Sequence, residues 1–235
     1  MHDYHFYSPV ENIDGNSISL VDSEFKHCCR VLRKNIGDQV DVFDGTGKLY
    51  VAEIVEISKN YAKCNIIKTE TVDCLINLKI HLGVGLVKSK ALDIIVEQAV
   101  SLGITSFNPV ETEHSIKKSF NLDRYEKKAL ESIKQSGQLI LPQINDLMSF
   151  DQWLKSIENI ENKLICYQHS DYKFNDIAIE NFDEIALFIG PEGGFSENEI
   201  SIAKNNGFKT INIIPTRLRT ELAVTTALAG IQTRR

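Results

Sequence analysis

The chain is poor in cysteine pattern, proline, tryptophan and positive charge, and it has no long apolar run. Its five cysteines (Cys28, Cys29, Cys64, Cys74 and Cys166) form no CxxC pair, which excludes a disulfide framework and predicts reduced thiols. The six histidines show neither HxH nor HExxH spacing, so no metal site is expected. No stretch has the length and apolarity of a membrane span, and MHDYHFYSPV carries neither the basic nor the apolar region of a signal peptide. A cytoplasmic protein without membrane contact is expected on that ground. Lysine and arginine number 26 against 32 acidic residues, a net charge of −6. That argues against a protein that coats nucleic acid non-specifically, because such affinity comes from many phosphate contacts; local patches must do that work. What is present is ordinary for a globular protein: 235 residues, 43% hydrophobic and 25% charged, enough to bury a substantial core in one domain or two.

Two segments near the C-terminus carry the most information. IALFIGPEGGFSENEI (residues 185–200) reads as a buried strand at Ile185–Ile189, a loop at Gly190–Gly194 and a helix opened by a Ser196/Glu199 capping box and ended by Gly207. Glycines at 190, 193 and 194 leave the backbone bare, so its N–H and C=O groups can approach a flat ligand such as a nucleoside. INIIPTRLRTELA (residues 211–223) repeats the pattern of strand, turn and helix start, the way an α/β protein builds a ligand site at strand ends. Arg219, between that strand and helix, is expected to aim its guanidinium at the pocket mouth.

The rest of the chain divides in two. Residues 1–72 read as a small all-β barrel: strands at Val40–Phe43 and Leu49–Ile57 flank the turn Asp44-Gly45-Thr46-Gly47, and Tyr61–Ile67 follows. In FKHCCRVLRK, Phe25, Cys28, Cys29 and Leu32 recur at helical spacing, with Lys26, Arg30, Arg33 and Lys34 on another stripe. Taken alone, that stripe is a solvated basic face. From residue 73 to 235 strands alternate with helices: strands at Asn77–Leu82, Ile104–Val110, Lys163–Tyr167, Ile185–Ile189 and Thr210–Ile214, helices at Ser89–Leu102, Leu122–Ser136 and Glu221–Gln232. Such alternation predicts a mostly parallel sheet covered on both faces, and thus an α/β fold.

GPEGG with S-x-x-E, then LRTE, together with HCCRVLRKNIGDQVDVFDGTG and QSG at 135–137, resemble the RsmE-type 16S rRNA (uracil N3) methyltransferases of the SPOUT class, over nearly the whole chain. The resemblance implies a PUA-like RNA-binding barrel followed by a knotted S-adenosylmethionine-binding domain, and a homodimer that acts on 16S rRNA of the small ribosomal subunit. It implies a deep trefoil knot, which composition cannot reveal, with both C-terminal motifs as knot loops around the cofactor. Ile189, Gly190, Pro191, Glu192, Gly193, Ile213, Ile214, Pro215, Leu218 and Thr220 would then hold the cofactor. Arg219 is the first catalytic candidate, and Glu221 either orients it or accepts the N3 proton. Lys26, His27, Arg30, Arg33, Lys34, Lys88 and Lys90 would contact RNA. Departures from the family pattern stand at Ile214, for glycine, Leu222, for threonine, Gln138 and His114, both for arginine. A SPOUT enzyme methylating another position, such as a ribose hydroxyl, and a non-catalytic assembly factor are the alternatives.

Overall fold

The structure, a computed structural model, describes residues 5–71, 78–115 and 119–234. The domain boundary at 72/73, most of the expected linker, Cys74 and the start of the strand expected from Asn77 lie outside the described residues. The chain forms two compact units, one comprising the described residues up to 71 with Ile133–Leu141, the other comprising the remainder.

In the first unit, β1 (His5–Tyr7), β2 (Ile13–Asp14), β3 (Ser17–Val21), β4 (Gln39–Phe43), β5 (Lys48–Ile57) and β6 (Tyr61–Thr71) form one sheet in the order β1-β4-β5-β6-β3-β2. All neighbours are antiparallel except β1 and β4. Register shifts between β5 and β6 at Val51/Ala52 and Ile54/Glu56 bend the sheet, as bulges do. Alternation turns Ile18, Leu20, Ala52, Ile54, Ala62 and Cys64 into one buried cluster. The expected helix at FKHCCRVLRK begins as one α turn, α1 (Asp22–Phe25), then winds as a π-helix over Lys26–Val31. The wider winding leaves Leu32 N–H bonded to His27 O at 2.9 Å and spreads the basic groups: Lys26, Arg30 and Arg33 are exposed, Lys34 partly so. Arg33 leaves the helix in the left-handed region, at φ 55°.

The Asp44 turn is tied on both sides. Asp44 Oδ1 accepts from Thr46 N (2.8 Å) and Thr46 Oγ1 (2.7 Å), and Oδ2 from Tyr50 OH (2.9 Å), while Leu141 N donates to Gly45 O at 2.9 Å. Burial pushes the Asp44 carboxyl up, but the Thr46, Tyr50 and Lys48 hydrogen bonds outweigh it and hold the group below the usual carboxylate value. A lowered folded value means stability that is present above the ordinary carboxylate range and lost as pH falls through the folded one. Asp44→Asn is expected to flatten the acid limb of the unfolding midpoint against pH; an unchanged limb would rule Asp44 out as its source.

In the second unit β7 (Lys79–Gly85), β8 (Ser106–Glu111), β9 (Gln143–Ile144), β10 (Met148–Ser149), β11 (Asn162–Cys166), β12 (Glu184–Ile189) and β13 (Lys209–Ile211) make an all-parallel sheet in the order β10-β8-β7-β12-β11-β13, with β9 beside β8. Its helices are α2 (Ser89–Ser101), α3 (Leu122–Ser136, whose last residues cluster with the first unit), α4 (Phe150–Ser156), α5 (Glu197–Asn205) and α6 (Thr220–Gln232). From Ile185 to Ile189 β12 is apolar on both faces, as a covered parallel sheet requires, while β7 puts Ile80, Leu82 and Val84 on one face and Lys79, His81, Gly83 and Gly85 on the other. On one face Trp153 lies so close that a Cβ on Gly83 would sit 2.5 Å from its ring. The strand expected at Thr210–Ile214 stops pairing with β11 at Ile211, because Asn212 bridges in parallel to Lys173 instead: its N donates to Tyr172 O (2.8 Å), its O accepts from Phe174 N (3.0 Å), and its Nδ2 donates to Gln168 O (2.9 Å). The connection between β11 and β12 is thus held at Asn212, and also near the chain end, where Arg234 donates to Phe174 O (3.0 Å) and Ile177 O (2.6 Å). No helix among the described residues is long and apolar enough to cross a membrane.

Candidate active site

The sheet register sets Cys166, Ile189 and Ile211 side by side at the carboxyl ends of β11, β12 and β13. Beyond them opens a cleft of about 460 Å³, within the range of small-ligand sites. Three segments wall it: Cys166–His169 after β11, Ile189–Phe195 after β12, and Ile211–Ile214 and Thr216–Leu218 with Thr220 and Ala223 after β13.

The 190–194 loop is braced on every side. Gly194 N donates to Pro191 O at 2.9 Å, and Gly194 adopts φ 71°, a conformation that favours glycine. Thr220 Oγ1 donates to Gly190 O (3.1 Å), and Arg217 Nη2 reaches across to Glu192 O (2.9 Å). Pro191 packs so tightly on Gly85, at the end of β7, that a Cβ there would lie 2.3 Å from Pro191 Cδ. The Ser196/Glu199 capping box opens α5 as expected, and buried Glu199 also accepts from Glu113 N at 2.9 Å. The glycines, however, do more than bare the backbone to a ligand. A Cβ on Gly193 would meet His114 Cβ at 2.8 Å, and one on Gly190 the Phe195 ring at 3.1 Å, so these two positions make room for the protein's own side chains.

Nine of the ten residues expected to hold a cofactor line this cleft: Ile189, Gly190, Pro191, Glu192, Gly193, Ile213, Ile214, Leu218 and Thr220. Pro215 is exposed and not among the lining residues. Arg219 and Glu221 also fall outside the lining. Arg219 is exposed at the N-cap of α6, between lining residues Leu218 and Thr220, and its side chain makes no hydrogen bond or ion pair to the described residues. Glu221 is half-buried and forms no ion pair with Arg219. Lys88 and Lys90 are exposed at the start of α2, beyond the end of β7. In the first unit, Arg30 donates to Lys59 O (3.2 Å) and lies over Phe25 (5.6 Å), Lys34 Nζ donates to Gln39 O (3.3 Å), and His27 packs on Phe6 at 5.7 Å.

The sequence reading missed Cys166, Tyr167, Gln168 and His169, as well as Asn212. The signal for the first four is positional: β11 lies between β12 and β13, which only the strand order reveals. Burial pushes the Cys166 thiol up to about 12, leaving a neutral, unreactive group in the wall. Of the departures, Ile214 lines the cleft, Leu222 is 52% exposed, and His114 Nδ1 lies 3.3 Å from Gly194 O.

Among the described residues, Glu192 Oε2 is buried with no hydrogen-bond partner, an uncommon and costly state for a carboxylate oxygen.

Comparison with known proteins places both units. Residues 75–232 match the RNA methyltransferase domain family and residues 20–67 the RNA methyltransferase PUA domain family. The ribosomal RNA small subunit methyltransferase E of Aquifex aeolicus is 31% identical, with 93% of this chain and 94% of that protein covered. The crystal structure of the Neisseria gonorrhoeae ribosomal RNA small subunit methyltransferase E bound to S-adenosyl methionine superposes with a TM-score of 0.89 at 30% identity, over 99% of this chain and 98% of that one. A putative methyltransferase of Legionella pneumophila in complex with the same cofactor gives 0.88 at 27% identity, over 99% and 98%. With the parallel sheet, the braced loop and the cleft at its strand ends, these likenesses establish that the chain belongs to the ribosomal RNA small subunit methyltransferase E family.

Proposed function

We propose that this chain transfers a methyl group from S-adenosylmethionine to N3 of a uridine in 16S rRNA of the small ribosomal subunit, as a cytoplasmic homodimer. Glu192 Oε2, buried and without a partner among the described residues, carries the cofactor assignment: a buried acceptor in a nucleoside-sized cleft suits a ribose hydroxyl. The residues around it fit the rest of such a ligand. Ile189, Ile213, Ile214 and Leu218 supply apolar walls for a flat base, and the 190–193 backbone and Thr220 supply hydrogen-bonding groups. The cofactor provides an electrophilic methyl group. The chain must do the rest: fix the line of attack, exclude water, and stabilise the charge that spreads over the uracil carbonyl oxygens as the N3 proton leaves. Arg219, a cation at the rim with no partner among the described residues, suits that last task. Glu221, two residues on, either accepts the proton or orients the guanidinium once substrate is bound. Identifying the nucleoside formed when purified protein and methyl donor meet small subunits from a strain lacking this enzyme tests the proposal. N3-methyluridine supports it, and a ribose-methylated nucleoside or no product defeats it.

We assign RNA contact to Lys26, His27, Arg30, Arg33 and Lys34 in the first unit and to Lys88 and Lys90 in the second. Lys26 and Arg33 are exposed, whereas Arg30 and Lys34 are partly engaged by carbonyls, so the first pair is the more available to phosphate. Neutralising Lys26 and Arg33 to glutamine is expected to weaken RNA binding and flatten its salt dependence by about one unit of slope per lost phosphate contact, with the donor dissociation constant unchanged. Equal slopes for variant and parent would return this face to a solvated surface.

A further inference from the structure

The segment after β11, Tyr167-Gln168-His169-Ser170-Asp171-Tyr172, carries three aromatic rings within six residues, beginning in the wall of the cleft. Tyr167 and His169 line the cleft, with ring centroids 5.4 Å apart and planes at 72°. Tyr167 is half-buried and rests on the core beneath, His169 is exposed, and Tyr172 is 63% exposed. Exposed rings on a loop are usually of little note, since scattered apolar groups are common on surfaces. This loop differs because it is braced like an interior element. Ser170 N donates to Tyr167 O (3.1 Å) and closes the turn. Ser170 Oγ donates to Thr210 O (2.9 Å), lies 3.1 Å from Thr210 Oγ1 and accepts from Tyr172 N (3.2 Å). Asn212 ties both ends, through Gln168 O and Tyr172 O. Tyr167 O, Gln168 O, Ser170 N and Oγ, and both backbone groups of Tyr172 are thus spent on holding the turn, while the His169 and Tyr172 rings stay exposed. Rigid aromatic groups at low entropy cost are what a recognition surface requires.

We infer that Tyr167, His169 and Tyr172 form a stacking platform that receives the face of the unpaired target base of the RNA substrate. The inference rests on the proposed function, and the reaction explains the choice of contact. The N3 edge and its flanking carbonyls must stay free for the methyl donor and for Arg219, so the base has to be gripped by its faces. Aromatic stacking does this without hydrogen bonds and works on bases turned out of a helix.

Tyr172 is exposed and outside the cleft lining, so Tyr172→Ala leaves both the core and the donor's cleft intact. That variant is expected to raise KM for RNA about tenfold, the order of losing one base stack, with the donor dissociation constant and oligomeric mass unchanged. Tyr172→Phe is expected to keep most of the KM, because stacking needs the ring and not its polar atom. As a readout independent of turnover, RNA carrying 5-iodouridine at the target position should photocrosslink to the 167–172 peptide. An unchanged KM, a crosslink elsewhere, a rise in donor dissociation constant or a change in mass overturns the platform. Failure of the functional reading shows separately, as the wrong modified nucleoside made by the parent protein.

Discussion

Gly193→Val is expected to abolish binding of S-adenosylmethionine while leaving both units folded. The reason is a collision within the protein: any Cβ at residue 193 falls 2.8 Å from His114 Cβ, the root of a side chain, which no rotamer change can move. Either the 112–115 segment or the 190–194 loop must shift. The first is tied down, with Glu113 N on Glu199 Oε1 and Thr112 N on Ser115 Oγ, at 2.9 and 3.0 Å. The loop therefore gives way, and with it the Glu192 carboxylate, the Gly190 carbonyl and the Arg217 contact. The test has a sharp internal control. In a Gly193→Ala background, His114→Gly removes the colliding atom and should restore much of the affinity, whereas His114→Ala retains it and should not. Calorimetry that finds full affinity in folded Gly193→Val, or equal rescue by both His114 substitutions, would refute the account.

Much of this site was legible in the sequence because its chemistry is local. The Ser196/Glu199 capping box, the apolar run of β12 and the glycine loop each need only neighbours in sequence, and α3 spans Leu122–Ser136 as its pattern predicts. What escaped depends on distant partners. Gly193 is required by His114, some eighty residues earlier, and Gly85 by Pro191; neither pairing leaves a trace in periodicity. The truncation of β13 at Ile211 has the same origin, since Asn212 exchanges a strand position for bonds to Gln168 and Tyr172. The third wall of the cleft was invisible until the order β12-β11-β13 was known. The π winding of Lys26–Val31 escaped because α and π helices share nearly the same apolar spacing over a single turn.

The two arginines of TRLRTE are expected to part company, and this separates chemistry from binding. Arg217 lines the cleft and holds the Glu192 carbonyl, so Arg217→Ala should loosen the 190–194 loop and weaken donor binding. Arg219 lies outside the lining and makes no bond to the described residues, so its removal should leave the donor dissociation constant almost unchanged. Its effect should fall on the rate. Uracil N3 is a poor nucleophile while protonated, and as the proton leaves, negative charge spreads onto the flanking carbonyl oxygens. A guanidinium at the rim stabilises that charge in the transition state, and it has nothing to gain from the positively charged sulfonium of the donor. Arg219→Ala is expected to lower the single-turnover rate by roughly a hundredfold or more, the usual cost of losing one oxyanion donor. Arg219→Lys should recover only part, since an ammonium cannot reproduce the planar fork. A rate that survives Arg219→Ala, or donor affinity that collapses in step with the rate, would make Arg219 a structural or cofactor-holding residue and leave the developing charge to another group.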